Sequence, residues 1–193
     1  MALFRFAPRQ TEPAPVVGAR VYLRPMRMDD FDEWLALRHA SEAFLAPWEP
    51  LRTGDEFDRT AWRRKVLAAR NDARLDAAYG YLIFSRAHDI MVGGLTLGLV
   101  RRGVAQSCTL GYWMGAPWAG KGLMSDAVDA ICRHAFTQLR LRRIEAACLP
   151  HNHRSRRVLE KNGFQLEGLA REYLCIAGVW ADHVTYARLA SDG

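Results

Sequence analysis

Val21 and Leu23 alternate with longer polar side chains between Arg20 and Arg24, the period-two signature of a half-buried strand, and Pro25 ends it. Asp29 and Asp30 then open a helix whose apolar stripe is Phe31, Trp34, Leu35 and Leu37, with acids in the first turn against the positive end of the helix dipole. Phe44 to Pro50 reads as a proline-punctuated loop that is unusually aromatic. A second helix is predicted from Asp55 to about Leu75, because Phe57, Ala61, Trp62, Val66 and Ala69 recur at helical spacing. Strands follow at Ala78–Ser85, Met91–Val100 and Gln106–Met114. Turn signals at His88-Asp89 and Arg101-Arg102-Gly103 join them into an antiparallel meander.

From Leu123 the pattern changes period. Met124, Ala127, Val128, Ile131, Cys132 and Ala135 form a wide apolar face, leaving Asp126, Asp129 and Arg133 outside it, so this helix packs on a sheet. Arg143–Leu149 is another strand, Asn152–Asn162 a short helix capped by Gly163, and Phe164 opens a long hairpin turning at Ala177-Gly178. Strands followed by two crossover helices predict an α+β fold whose mixed, mostly antiparallel sheet has a parallel portion in its centre.

A chain of 193 residues is long enough for one full core and needs no second domain. Pro8, Pro13 and Pro15 oppose a helix in Met1–Val17, and no apolar stretch there has signal-peptide length. The expected organisation is a loose arm over 1–18, one domain over 19–190 and a short tail over 191–193. No uncharged apolar run approaches a membrane span, and Cys108, Cys132, Cys148 and Cys175 form no CxxC pair. Reduced core thiols and a cytoplasmic location are the expectation.

Charge adds a candidate partner. Lys plus Arg total 27 against 21 acids, and the excess crowds between Arg140 and Arg157. Such a cluster suits an anion, whether a nucleotide or an RNA, and equally suits a solvated basic face. A second feature narrows the choice. The strand ending at Met114 runs through Gly115, Pro117 and Trp118 into Gly120-Lys121-Gly122, and a helix begins at Leu123. Glycines let a ligand approach the backbone, and the following helix offers unpaired N–H groups and its positive dipole end, a cradle for pyrophosphate. A Walker loop would require Ser or Thr after its Gly-Lys, where this chain has Gly122 and Leu123. A Rossmann turn would require three glycines and a distant acid, and neither is found. His151 and His153 lack carboxylate or thiolate company, so no metal is expected, and no cysteine has a histidine at a spacing that suggests a nucleophile.

The strand, Gly-x-Gly turn, helix, strand and then Asn152-His153-Arg154-Ser155 ahead of Asn162-Gly163-Phe164 together resemble the acetyl-CoA-dependent N-acetyltransferase (GNAT) superfamily. Segments Phe44–Pro50, Trp118–Met124, Pro150–Asn152 and Gly178–Val184 are most similar to its Rim-type branch, the RimJ-like ribosomal-protein-alanine N-acetyltransferases, over about Arg20 to Leu189. The resemblance implies a sheet splayed at its middle with helices on both faces. It also implies acetyl-CoA as acetyl donor, its pyrophosphate on the backbone of Gly120, Lys121, Gly122, Leu123 and Met124, and Tyr112, Trp113 and Met114 beside the thioester. Asn152 matches the asparagine that bonds the pantetheine arm, and Ser155 matches a serine that protonates the leaving thiolate. Pro117 departs from the Arg or Gln common at that place, and proline has no N–H to offer.

An amine attacking a thioester requires a neutral nitrogen, a donor for the oxyanion and a proton for the sulfur. The backbone amide near Met114 is the natural oxyanion donor and Ser155 the proton donor; among carboxylates in matching segments, Glu172, Asp182 and Glu49 are candidates to bind the ammonium or relay its proton, Glu172 foremost. Trp48 would line the acceptor pocket with Glu49 and Asp182. An α-amine, with a pKa of about 7.7 to 8.0, is about one-tenth neutral at pH 7, so it asks little of a base. The expected function is therefore acetylation of a protein N-terminus, a ribosomal protein by resemblance. Acetylation of a polyamine or aminoglycoside, and a non-catalytic module binding CoA or ribosomal RNA, stay as alternatives. A basic protein acceptor would suit the net charge of +6 only if the acids of Asp29–Glu33 and Glu49 gather on its side.

Overall fold

The computed structural model describes residues 13–51 and 55–192. Most of the expected arm, with Phe4, Phe6 and Pro8, and Gly193 of the tail lie outside the described residues. Among the described residues one sheet of eight strands organises the fold: β1 (Val16–Val17), β2 (Val21–Pro25), β3 (Tyr79–Ser85), β4 (Ile90–Arg101), β5 (Ser107–Met114), β6 (Arg143–Cys148), β7 (Gln165–Ile176) and β8 (Val179–Leu189). Its order is β1-β2-β3-β4-β5-β6-β8-β7, and every described pairing is antiparallel except that of β5 with β6. The helices are α1 (Phe31–His39), α2 (Glu42–Leu45), α3 (Arg59–Arg74), α4 (Leu123–Thr137) and α5 (His153–Lys161).

The two sheet faces bury separate cores. On one, Ala127, Val128, Ile131 and Ala135 of α4 and Leu159 of α5 pack with Leu97, Cys108, Ile144 and Tyr186 of the strands. On the other, Phe31, Trp34, Trp62 and Val66 of α1 and α3 pack with Leu82, Phe84 and Met91. The wide apolar face read from Leu123 onward is thus the layer contact of α4, and the stripes of α1 and α3 are the opposite layer.

Three expectations require correction. Phe44–Pro50 is not an open loop: α2 and a 3-10 turn over Ala46–Trp48 follow one another, with Pro47 in the first turn where no N–H is needed. The helix expected from Asp55 begins instead at Arg59, because Asp58 adopts an extended backbone and its carboxylate caps Ala61 N at 2.6 Å. Val16 and Val17, expected in the loose arm, pair with Leu23 and Tyr22, and Val16 is buried.

The parallel pairing is the decisive feature. β5 and β6 are in register only over Ser107–Thr109 and Arg143–Glu145, after which the strands part. A parallel pair in mid-sheet that separates after a few residues leaves an open wedge between strand ends, into which the chain delivers the N-termini of α4 and α5.

Candidate active site

A cavity of about 610 Å³ occupies this wedge, within the range of small-molecule sites. Its floor is the end of β5. Gly115 N donates to Val92 O at 2.8 Å, and Gly93 stands opposite Met114. Antiparallel alternation then turns the N–H groups of Met114 and Tyr112 away from β4 and toward the gap β6 has left. Met114 N–H therefore faces the open wedge, unclaimed by either neighbouring strand.

At one end lies the glycine turn. Gly120 and Gly122 have φ of 75° and 77°, the left-handed region, and Gly122 is the N-cap of α4 with no side chain capping the helix. Gly120, Gly122, Leu123, Met124 and Ser125 all line the cavity. The first-turn amides of α4 are thus offered to an anion rather than consumed by a cap. Lys121 turns away and holds its ammonium 4.7 Å from the Trp118 ring centroid. Pro117 sits in a 3-10 turn, Ala116–Trp118, at a position that requires no donor. The residue that departs from the family pattern is therefore accommodated by local geometry.

Long-range clamps hold this turn, and the sequence offers no local sign of them. Arg20 Nη1 donates to Lys121 O at 2.7 Å, and the Asp126 carboxylate accepts from the backbone N–H groups of Ala19, Arg20 and Val21 at 3.0, 2.7 and 3.0 Å. Buried Ser41 accepts Ala116 N at 2.9 Å.

Opposite the turn, α5 presents Asn152 and Ser155. Asn152 is the N-cap, its Oδ1 accepting Ser155 N at 3.1 Å, so its Nδ2 is left to donate into the cavity. Ser155 Oγ lies 2.8 Å from Tyr112 Oη across the wedge. Burial pushes the Tyr112 phenol up, so the pair stays neutral and passes hydrogen bonds rather than charge. Cys148 also lines the cavity, and burial raises its thiol. Cys108 and Cys132 are pushed up to about 12 by burial, which keeps both thiols protonated in the core.

The other end is made of side chains. Phe44, Leu45, Trp48 and Glu49 face Leu174, Ile176 and His183 across the opening. Arg38, buried in the last turn of α1, grips Glu49 with Nη1–Oε1 and Nη2–Oε2 distances of 2.9 and 2.6 Å and stacks 4.6 Å over the Trp113 ring. Trp48 packs against His151, with ring centroids 5.6 Å apart. Glu49 O accepts Ala177 N at 2.9 Å, tying this segment to the tip of the β7–β8 hairpin.

The sequence-derived residues divide accordingly. Tyr112, Trp113, Met114, Gly120, Gly122, Leu123, Met124, Asn152, Ser155, Trp48 and Glu49 are brought together. Glu172 and Asp182 are not among the lining residues. Glu172 is exposed on a bulge between Ala170 and Leu174, with φ of 45°, and its N–H is capped by Asp182 Oδ1 at 2.9 Å. Asp182 is spent on shaping that bulge. Four of the acids expected to gather for a basic acceptor are engaged as well: Asp30 by Arg24, Asp32 by Arg59, Glu33 by Met91 N and Glu49 by Arg38. In the basic cluster, Arg143 is bound by Glu145 and Glu167, while Arg154, Arg157 and Lys161 line the cavity. Among the described residues no group of three or more His, Cys, Asp or Glu is arranged to hold a metal, and no helix is long and apolar enough to cross a membrane.

A family model for the acetyltransferase (GNAT) domain matches residues 20–165. The chain belongs to the GNAT acetyltransferases. It is 34% identical over 165 residues to the ribosomal protein uS5-alanine N-acetyltransferase of Escherichia coli (strain K12), covering 84% of this chain and 85% of that one. It is 35% identical over 175 residues to the probable N-acetyltransferase YjcK of Bacillus subtilis (strain 168), with 91% and 97% covered. Mycobacterium smegmatis RimJ in complex with CoA-disulfide superposes with a TM-score of 0.85 at 36% identity, over 89% of this chain and 83% of that one. As a GNAT enzyme of the Rim type the protein is an N-acetyltransferase that uses acetyl-CoA. The uncapped α4 turn and the N–H groups facing the wedge suit the anionic, hydrogen-bonding body of that donor.

Proposed function

We propose that the protein transfers the acetyl group of acetyl-CoA to the N-terminal α-amine of a protein, with a ribosomal protein as acceptor, by direct attack within a ternary complex. The observation carrying this reading is one continuous cavity with two unlike ends, an uncapped glycine turn and a pocket of Trp48, Glu49 and Ile176, meeting at the Met114 amide. Donor and acceptor are held together, so no acyl-enzyme is required, in keeping with thiols raised by burial.

Amides of Gly120 through Met124 hold the pyrophosphate, and Asn152 Nδ2 bonds the pantetheine beside Tyr112 and Trp113. Met114 N–H stabilises the oxyanion as the amine adds to the thioester carbonyl. Ser155, oriented by Tyr112 Oη at 2.8 Å, donates the proton that leaves with the thiol. Trp48 lines the acceptor's path, and the Arg38–Glu49 pair fixes the wall it enters by. The names of the uS5-alanine relatives support a ribosomal acceptor.

The test is to incubate the protein with acetyl-CoA and a mixture of ribosomal N-terminal peptides, polyamines and aminoglycosides, following acetyl gain by mass spectrometry. Acetylation confined to peptide α-amines is expected. Acetyl gain on the small amines alone would replace this reading with the small-molecule one, and acetyl-CoA binding with no product on any acceptor would remove turnover from it.

A further inference from the structure

A histidine absent from the sequence-derived site residues lies in the acceptor end. His183 is 2% exposed and lines the cavity. It stands opposite the bulge in β7. Ala170 pairs with His183 and Leu174 with Ala181, so extra residues on β7 loop out between them. The displaced Tyr173 ring meets the imidazole edge-on, at 5.9 Å and 72°. Val184 pairs with Cys148 and packs with the α4–α5 core, so the neighbouring His183 projects from the opposite sheet face, the side of Trp113.

The hydrogen bonding of the ring specifies its proton. Nδ1 lies 2.8 Å from Ala181 O, and a carbonyl only accepts, so Nδ1 carries the hydrogen. The neutral ring then keeps its lone pair on Nε2, the ring nitrogen left for the cavity. Among the described residues, no other group lining the acceptor end is so disposed. Glu49 is committed to Arg38, Asp182 and Glu172 shape the bulge outside the cavity, and Arg154, Arg157 and Lys161 are cations.

We propose that His183 is the proton acceptor of the transfer, its Nε2 taking a proton from the acceptor's α-ammonium before the nitrogen attacks. This rests on the N-terminal acetylation reading. The nitrogen starts as an ammonium and ends as an amide N–H, so it loses two protons. The first goes to Nε2 and on to solvent, freeing the electron pair that forms the N–C bond. The second leaves the nitrogen after addition and is balanced by the proton Ser155 gives to the sulfur as the C–S bond breaks. One proton is released per turnover.

His183→Gln preserves approximate shape and a hydrogen-bonding end but is not a base. Its kcat is measured on two acceptors, a peptide beginning with alanine and the same peptide beginning with trifluoroalanine, whose fluorines keep the amine neutral at pH 7. On the alanine peptide kcat should fall about 10-fold or more, while the acetyl-CoA Kd and melting temperature stay near wild type. On the neutral amine the two enzymes should turn over alike. Wild-type turnover of the alanine peptide by His183→Gln, or an equal deficit on both peptides, would overturn the assignment. His183→Ala supplies an independent arm: added imidazole should restore its turnover, and a folded, acetyl-CoA-binding variant that imidazole does not rescue would also overturn it. Absence of peptide acetylation by the wild-type enzyme is a separate result, which strikes the acetylation reading first.

Discussion

At the α4 end of the cavity the contacting groups are backbone amides, while at the hairpin end they are side chains of Trp48, Glu49, Ile176 and His183. The first end is held by the chain's own turn, with Gly120 and Gly122 in the left-handed region and Arg20 and Asp126 fastening the turn to β2 from outside. The second is held by an ion pair, a bulge and one hairpin contact. A backbone cradle recognises what every acetyl-CoA shares and tolerates changes of side chain around it. A wall of side chains is free to vary with the acceptor, and each member depends on a partner distant in sequence.

That contrast is sharpest under mutation. Gly122→Val forces a β-branched residue to φ of 77° and sets its Cβ 3.3 Å from Arg20 Nη1, the group that fastens Lys121 O, so it disturbs the turn we assign to the pyrophosphate. Acetyl-CoA affinity should fall by about 100-fold in titration calorimetry, the sum of backbone strain and lost charge-assisted hydrogen bonds. Unchanged affinity would break the claim that the turn is the cofactor end. Glu49→Ala leaves the Arg38 guanidinium buried without its carboxylate and should cost about 2 kcal/mol in urea unfolding. Its acetyl-CoA affinity should stay within about 2-fold, because the pair belongs to the other end. A large loss of donor binding there would show the two ends to be one unit.

Smaller effects divide the cofactor end itself. Ser155→Ala should lower kcat by about 10-fold, the modest size following from a thiol that is already a fair leaving group. Equal turnover at saturating substrates, with chemistry rate-limiting, would remove Ser155 from the proton path. Asn152→Ala loses a helix cap and a donor together, so it should cost about 1 kcal/mol of stability and weaken acetyl-CoA binding several-fold with kcat little changed. Should Asn152→Ala change kcat and leave binding intact, the roles of the two residues would have to be exchanged.

Local and long-range contacts divide what the sequence shows from what it does not. The meander, the helix from Leu123, the Gly163 re-entry and the Ala177-Gly178 turn are read from local periodicity and turn residues, and each stands where the pattern put it. Phe44–Pro50 reads as a loop because it holds two prolines among aromatic residues, whereas Pro47 fits the first turn of a 3-10 helix. The start of α3 moved because Asp58, a cap in an extended conformation, outweighs an apolar stripe that continues through Phe57. Glu172 reads as a base because it stands in a matching segment, yet the register shift in β7 carries it outward, while the alternation of β8 turns His183 inward.

By itself the sequence determined the order of elements, the glycine turn ahead of α4 and the Asn152–Ser155 step of α5, since each depends on residues within a few positions of one another. Tertiary structure alone decided that β5 and β6 part after Thr109, that Tyr112 Oη meets Ser155 Oγ, that Arg38 pairs with Glu49, and that His183 lines the cavity with Nδ1 held by Ala181 O. The physical reason is range. A helix start or a left-handed glycine is paid for locally, whereas the wall of a cleft depends on strand order and register, which no short stretch of chain encodes.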